Sequence, residues 1–268
     1  MTYKRIPVFD TLSHPTLNGN WFGKDCGNTF ENLKKEFHAN DIIGTCAVSL
    51  PPMTNEELQS FYTRCTSEKE IVLYPVAAFN FSEENYEDKI RFIRDTGFKA
   101  VKIHIRLSGL KLDEDFDKLA EVFRLCEQFG LVVFFCTYCH ASIDYTPPHP
   151  LSYYLISLLK QAPKLKVILL HGGDVSLLQI SQLARFNPNI LIDLSYTMLK
   201  FAGSSVDQDI VFLMNNLDRK ICLGSDYPDY TIGQFRERVD GLLNQVIDPE
   251  KIERICSGNI QSFLEIGI

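Results

Sequence analysis

The chain has 268 residues, of which 45% are hydrophobic and 23% charged, the make-up of a folded globular protein. Its 27 Lys and Arg against 34 Asp and Glu give a formal net charge of −7. That balance argues against the basic stripe of a nucleic-acid binder and against docking on anionic lipid.

No apolar run approaches the roughly 20 residues that span a bilayer. Met1-Thr2-Tyr3-Lys4-Arg5 leads into only a few apolar residues before Asp10, without the core of a secretion signal. A cytoplasmic location is the resulting expectation. The eight cysteines are spread through apolar segments, so free buried thiols are expected rather than a disulfide framework. One Cys-x-x-Cys pair, Cys136 and Cys139, lacks the second pair that a zinc ribbon needs.

Short β-branched and aromatic runs alternate with longer amphipathic stretches along the chain. Strands are predicted at Ile6–Asp10, Ile42–Leu50, Ile71–Phe79, Ala100–Ile105, Leu131–Thr137, Lys166–Gly172, Asn189–Ser195 and Lys220–Tyr227. Helices are predicted near Thr29–His38, Asn55–Thr66, Glu83–Thr96, Asp113–Phe129, Leu151–Gln161, Asp174–Phe186, Asp207–Asn216, Ile232–Val246 and Glu250–Glu265. Acidic residues open several of these helices, as at Asp113-Glu114-Asp115, and Gly130 follows the end of one. Pro249 suits a first helical position. Continuous apolar runs such as Leu131-Val132-Val133-Phe134-Phe135 fit parallel strands covered on both faces.

Eight strand–helix units in a chain of this length predict an α/β fold, a (β/α)₈ TIM barrel spanning residues 1–268 as one domain. An open doubly wound sheet would carry a Gly-rich turn after its first strand. Here that turn reads Thr11-Leu12-Ser13-His14-Pro15. The irregular pieces at 11–28 and 138–150 are long enough to be binding loops.

Chemistry in a barrel enzyme sits at the C-terminal strand ends. Those ends carry Asp10 and His14, then Lys102, His104 and Arg106 alternating with apolar residues, then Cys136, His171, Asp193 with Ser195, and Ser225-Asp226. Burying so many polar groups costs several kcal/mol unless they pair, ligate or meet water. A packing role stays open beside the functional one for Cys136, Lys102 and His104. Cys139, His140 and His149 lie in the loop after the fifth strand, where histidines are common without function.

The chain resembles the amidohydrolase-2 group of the amidohydrolase superfamily. The resemblance rests on Phe98-Lys99-Ala100-Val101-Lys102-Ile103-His104, Leu165–Gly173 with its His171-Gly172-Gly173, Gly224-Ser225-Asp226-Tyr227-Pro228, and Cys256-Ser257-Gly258-Asn259-Ile260. It implies a metal-dependent hydrolase acting on a small amide or lactone. Against the group's first-strand His-x-His, this chain has Leu12 and His14; its fifth-strand His position holds Cys136. His171 and Asp226 match the residues that activate water in the group.

Two accounts are open. In one, a zinc ion is held by His14, Cys136 and Asp226 with water in the fourth position. In the other, no metal is bound, Asp226 acts on water, and Lys102, His104 or Arg106 hold an anionic substrate or an oxyanion. A nonoxidative decarboxylase is the enzymatic alternative, and a non-catalytic barrel that binds a ligand or partner is the other. An open mouth favours the enzyme; one filled by Phe22, Tyr138 or Tyr227 favours binding. Pairing into a homodimer is a further expectation from the group.

Overall fold

The computed structural model describes residues 5–82, 85–138, 146–246 and 248–267. Strand β1 (Val8–Ser13) is followed by a small antiparallel hairpin of β2 (Asn20–Trp21) and β3 (Lys24–Asp25). The remaining strands are β4 (Ile42–Val48), β5 (Val72–Ala78), β6 (Ala100–Ile103), β7 (Val132–Cys136), β8 (Val167–Leu170), β9 (Ile190–Asp193) and β10 (Ile221–Cys222). Eight of them form one parallel sheet in the order β1-β4-β5-β6-β7-β8-β9-β10. The sheet closes where Thr11 N–H donates to the Leu223 carbonyl at 2.8 Å and His14 N–H to the Tyr227 carbonyl at 2.8 Å. The barrel expected from sequence is the barrel observed.

Helices pack outside, joined to the strands by the capping chemistry of the sequence. Helix α1 (Phe30–Ala39) starts at Thr29, and α2 (Asn55–Ser67) has a capping box of Thr54 and Glu57. Next come α3 (Tyr86–Thr96), α4 (Phe116–Phe129), α5 (Leu151–Gln161), α6 (Leu177–Arg185), α7 (Thr197–Lys200), α8 (Ser205–Asn216) and α9 (Ile232–Leu243). Helix α10 (Pro249–Glu253) opens on Pro249 behind an Asp248 cap. A π-helical turn at Arg254–Gly258 separates it from α11 (Asn259–Leu264), so the single final helix expected from sequence is interrupted. Asn259 there donates to the carbonyls of Asp218 (2.6 Å) and Ile221 (2.7 Å), anchoring the start of the last strand.

The strand period of two divides the core. On β7, Val133 and Phe135 pack outward under the helices, while Val132 and Phe134 face the barrel axis. The axis is filled by Phe9, Leu12, Val76, Phe134, Ile168 and Leu191, with Ile260 and Leu264 of α11 packed against them. It is a solid interior, so ligands are confined to the strand ends. All cysteines among the described residues are free thiols. Cys139 and His140 lie outside the described residues.

Candidate active site

Seven strand-borne or loop-borne polar groups meet in a cavity of about 110 Å³ at the C-terminal ends of the strands: His14, Ser49, Lys102, His104, Arg106, His171 and Asp226. Trp21, Phe22, Phe79, Tyr138 and Tyr196 supply its aromatic walls, and Asp229 stands at its edge. The mouth is open. Phe22 and Tyr138 line it without filling it, and Tyr227 is not among the lining residues.

His14 follows β1 directly. Its Nδ1 lies 3.1 Å from the Val48 carbonyl, which can only accept, so the ring proton sits on Nδ1. Nε2 therefore offers a lone pair, and Lys102 Nζ donates to it at 2.8 Å. Burial and the adjacent Lys102 push His14 down to about 4, which keeps the ring neutral. Asp226 Oδ1 is 3.6 Å from the same Nε2. With no proton on that nitrogen, this contact is a close approach, not an ion pair.

Lys102 comes from β6, but the strand stops at Ile103. His104 and Arg106 lie in the turn that follows, so strand alternation is not what aims them. The turn is closed by Ser108 N–H to the His104 carbonyl at 3.0 Å and by Leu107 N–H to His104 Nδ1 at 3.3 Å. All three side chains still line the cavity. Burial first, then Lys102 and His171, drive His104 far below its ordinary range. The Arg106 guanidinium sits 5.1 Å above the Tyr138 ring, where an aromatic face steadies a cation.

His171 and Asp226 share an uncommon backbone state, with φ of 62° and 56°. Non-glycine residues in this region are strained and recur at functional sites. At His171 the strain is held by the glycines behind it. A Cβ on Gly173 would meet Ile180 Cγ1 at 2.3 Å, so only glycine allows the turn to pack on α6. Gly173 N–H donates to Thr137 Oγ1 at 2.7 Å, and Thr197 Oγ1 donates to the His171 carbonyl at 2.7 Å. The helix expected from Asp174 consequently begins only at Leu177, after a 3₁₀ turn over His171–Ser176. Asp226 is set by its N–H donating to the Leu12 carbonyl at 2.9 Å and by Asp229 N–H donating to its own carbonyl at 3.0 Å.

Burial lowers His171 and keeps it neutral. Burial alone would raise Asp226, yet its surroundings, with Lys102 as the neighbouring cation, hold the carboxyl well below the ordinary range.

Two further carboxyls lie beneath the cavity. Asp10 accepts from Ser225 N–H at 2.8 Å and Ser225 Oγ at 2.7 Å. Asp193 accepts from the Ser195 hydroxyl. Burial pushes each up to about 7, against the lowering effect of these bonds.

The zinc set expected from sequence does not assemble. Among the described residues no three His, Cys, Asp or Glu side chains could hold a metal ion together. In addition, the amine of Lys102 lies on the His14 lone pair that a metal would need. Cys136 is not among the residues lining the cavity. Burial pushes its thiol up to about 11. His14 and Asp226 remain at the site; Cys136 is a packed thiol beside it. The loop residue His149 stacks on Tyr153 at 4.6 Å and does not line the cavity.

Trp21, Ser49, Tyr196 and Asp229 were not singled out in the sequence. Trp21 had one usable signal, as the only tryptophan of the chain, in a long loop after a strand. Its ring stands 5.1 Å from His14, and its Nε1 donates to Asp229 at 3.2 Å.

The family model for amidohydrolases (Amidohydro_2) matches residues 46–266. The chain belongs to the amidohydrolase family. Membership supports a hydrolase, consistent with the strained His171 and Asp226 at an open cavity. No curated protein matches.

Among solved structures, this amidohydrolase is similar in fold to an uncharacterized TIM-barrel protein from Bordetella bronchiseptica. That match has a TM-score of 0.76 and 16% identity, over 97% of this chain and 99% of the other. A putative 2-pyrone-4,6-dicarboxylic acid hydrolase from Pseudomonas putida follows at TM-score 0.69 and 12% identity, over 98% of each chain. A D-hydantoinase from Bacillus sp. AR9 also matches, at TM-score 0.69 and 11% identity, over 95% of this chain and 70% of that one. No helix among the described residues is long and apolar enough to cross a membrane.

Proposed function

We propose that this amidohydrolase hydrolyses a small, carboxylate-bearing lactone or amide, with water activated by His171 and Asp226 and no step passing through a metal. The observation that carries this reading is the convergence of His14, Lys102, His171 and Asp226 on one cavity, with the amine of Lys102 bonded to His14.

The roles follow from protonation. Asp226 is ionised and a poor proton acceptor, so it holds and orients the water through its oxygens. His171 is neutral, with its Nδ1 turned to Ser195, so its Nε2 can take the proton. The carbonyl oxygen of the substrate meets Lys102 Nζ, which offers charge to the oxyanion as it forms. Arg106 receives the substrate carboxylate. Trp21, Phe79 and Tyr196 enclose the flat part of the molecule.

The cavity of about 110 Å³ suits a small substrate. The related D-hydantoinase and the pyrone hydrolase act on cyclic substrates by name, which supports a ring-opening hydrolysis here.

The test is a panel of lactones and cyclic amides, each with and without a carboxylate, assayed by ring opening with wild-type protein and with Asp226→Asn. Turnover confined to the carboxylate-bearing members and lost in Asp226→Asn supports the reading. Carbon dioxide release from an unsaturated or aromatic acid would replace it with a decarboxylase.

A further inference from the structure

Beneath His171, a carboxyl that the proposed reaction does not use is tied to its ring. His171 Nδ1 lies 3.0 Å from Ser195 Oγ and 3.2 Å from the Ser195 carbonyl. The Ser195 hydroxyl donates to Asp193 Oδ2, and that same oxygen accepts the backbone N–H of Ser195 at 3.2 Å and of His171 at 3.4 Å.

Three donors on one oxygen leave no room for a proton there. Oδ1, by contrast, has no partner among the described residues and is fully buried. It faces the Gly224 backbone, where a Cβ would come within 2.7 Å of it. Any proton that Asp193 carries therefore resides on Oδ1. With burial placing this carboxyl at about 7, both forms are populated near neutrality. In either form Oδ2 remains the acceptor for the Ser195 hydroxyl.

The Ser195 carbonyl can only accept and favours a proton on Nδ1, so the direction of the hydroxyl decides whether that preference is kept or opposed. A serine hydroxyl can donate to an imidazole nitrogen or accept from it. Left free, Ser195 Oγ–H can turn to Nδ1 and favour a ring whose proton is on Nε2, facing the cavity and useless as a base. Held on Asp193, the same oxygen presents only its lone pair, and the ring keeps its proton on Nδ1.

We propose that Asp193 is a positioning residue that, by holding the Ser195 hydroxyl away from His171, fixes the tautomer that leaves Nε2 of His171 free to accept a proton. The inference rests on the reading of His171 as the base. Its effect is measured on the ring itself, without substrate.

The test is nitrogen NMR of the full chain labelled with ¹⁵N-histidine, with the His171 signals assigned from their loss in His171→Gln. The wild-type ring shows the Nδ1–H tautomer. Asp193→Asn, which still offers an oxygen to Ser195, retains it. Asp193→Leu, similar in shape but without an acceptor, populates the Nε2–H tautomer. Adding Ser195→Ala to Asp193→Leu removes the freed hydroxyl and returns the ring to Nδ1–H, because the carbonyl of residue 195 is then its sole neighbour there. A merely structural role for Asp193 would not produce that reversal.

An unchanged ring in Asp193→Leu, or a double variant that behaves as the single one, overturns the proposal. Should Asp193→Leu fail to fold, Asp193→Ala, which likewise lacks an acceptor, decides: an Nε2–H ring supports the link, and an unchanged Nδ1–H ring removes it. None of these outcomes depends on hydrolysis, whose own test is the loss of turnover in Asp226→Asn.

Discussion

The two ends of the barrel are built from the same strands to opposite specifications. At the N-terminal end, α11 and the residues after it close the interior, with Ile260 and Leu264 against the axial side chains and Phe263 and Ile266 beside them. Its polar contacts there are peripheral, such as the exposed Lys166–Glu265 pair at 2.8 Å, which contributes little. At the C-terminal end, His171 and Asp226 stand in strained backbone around buried charge. The comparison separates what stabilises this fold from what it carries: apolar burial at one end offsets polar burial and strain at the other.

The sharpest break in that comparison is Asp226→Asn. Hydrolysis of a carboxylate-bearing lactone or amide falls by at least about 100-fold, while the barrel still folds, with a lowered unfolding midpoint because the anion that the folded state stabilises is gone. A variant that lost stability and kept turnover would reverse the roles of the two ends. At the opposite end, Ile260→Ala deletes fully buried methyl groups and costs about 2–5 kcal/mol. Denaturant unfolding measures it, and the residual folded protein keeps its turnover per molecule.

The buried Asp10 sharpens the contrast through pH. Burial raises its carboxyl from the ordinary aspartate range, about 4, to about 7. The folded state therefore binds a proton that the unfolded chain releases between those values. The group's stability contribution is full below about pH 4 and is lost as pH rises through about 7. Asp10→Asn lacks this loss, so the variant gains on wild type by a few kcal/mol across that window. Urea unfolding at a series of pH values reads the difference; a constant offset would mean that Asp10 is ionised throughout.

The smallest effect is expected at the aromatic edge. Trp21→Phe removes the bond to Asp229 and raises KM by about two- to tenfold, with kcat nearly unchanged. A fall in kcat alone would make Trp21 part of the chemistry instead of the enclosure.

The sequence made the scaffold legible because buried parallel strands are long apolar runs, and the strand ends then named His14, Lys102, His104, Arg106, His171 and Asp226 without any contact being known. It was less informative where a residue's role depends on a distant one. Lys102 and His14 are 88 positions apart, and nothing local says that the lysine takes the lone pair a metal would need. His104 and Arg106 reach the cavity from a turn instead of a strand, so the alternation pointed to the right residues for the wrong geometric reason. Trp21 arrives on a hairpin too short to leave a pattern.

The central claim is that His171 and Asp226 activate water beside a lysine whose amine takes the His14 lone pair that a metal would need. The most direct measurement is the rate of lactone or amide opening before and after exhaustive dialysis against a chelator, with metal content determined on the same samples. The account predicts an unchanged rate in the metal-free protein. Activity that disappears with the metal and returns with added zinc would contradict it.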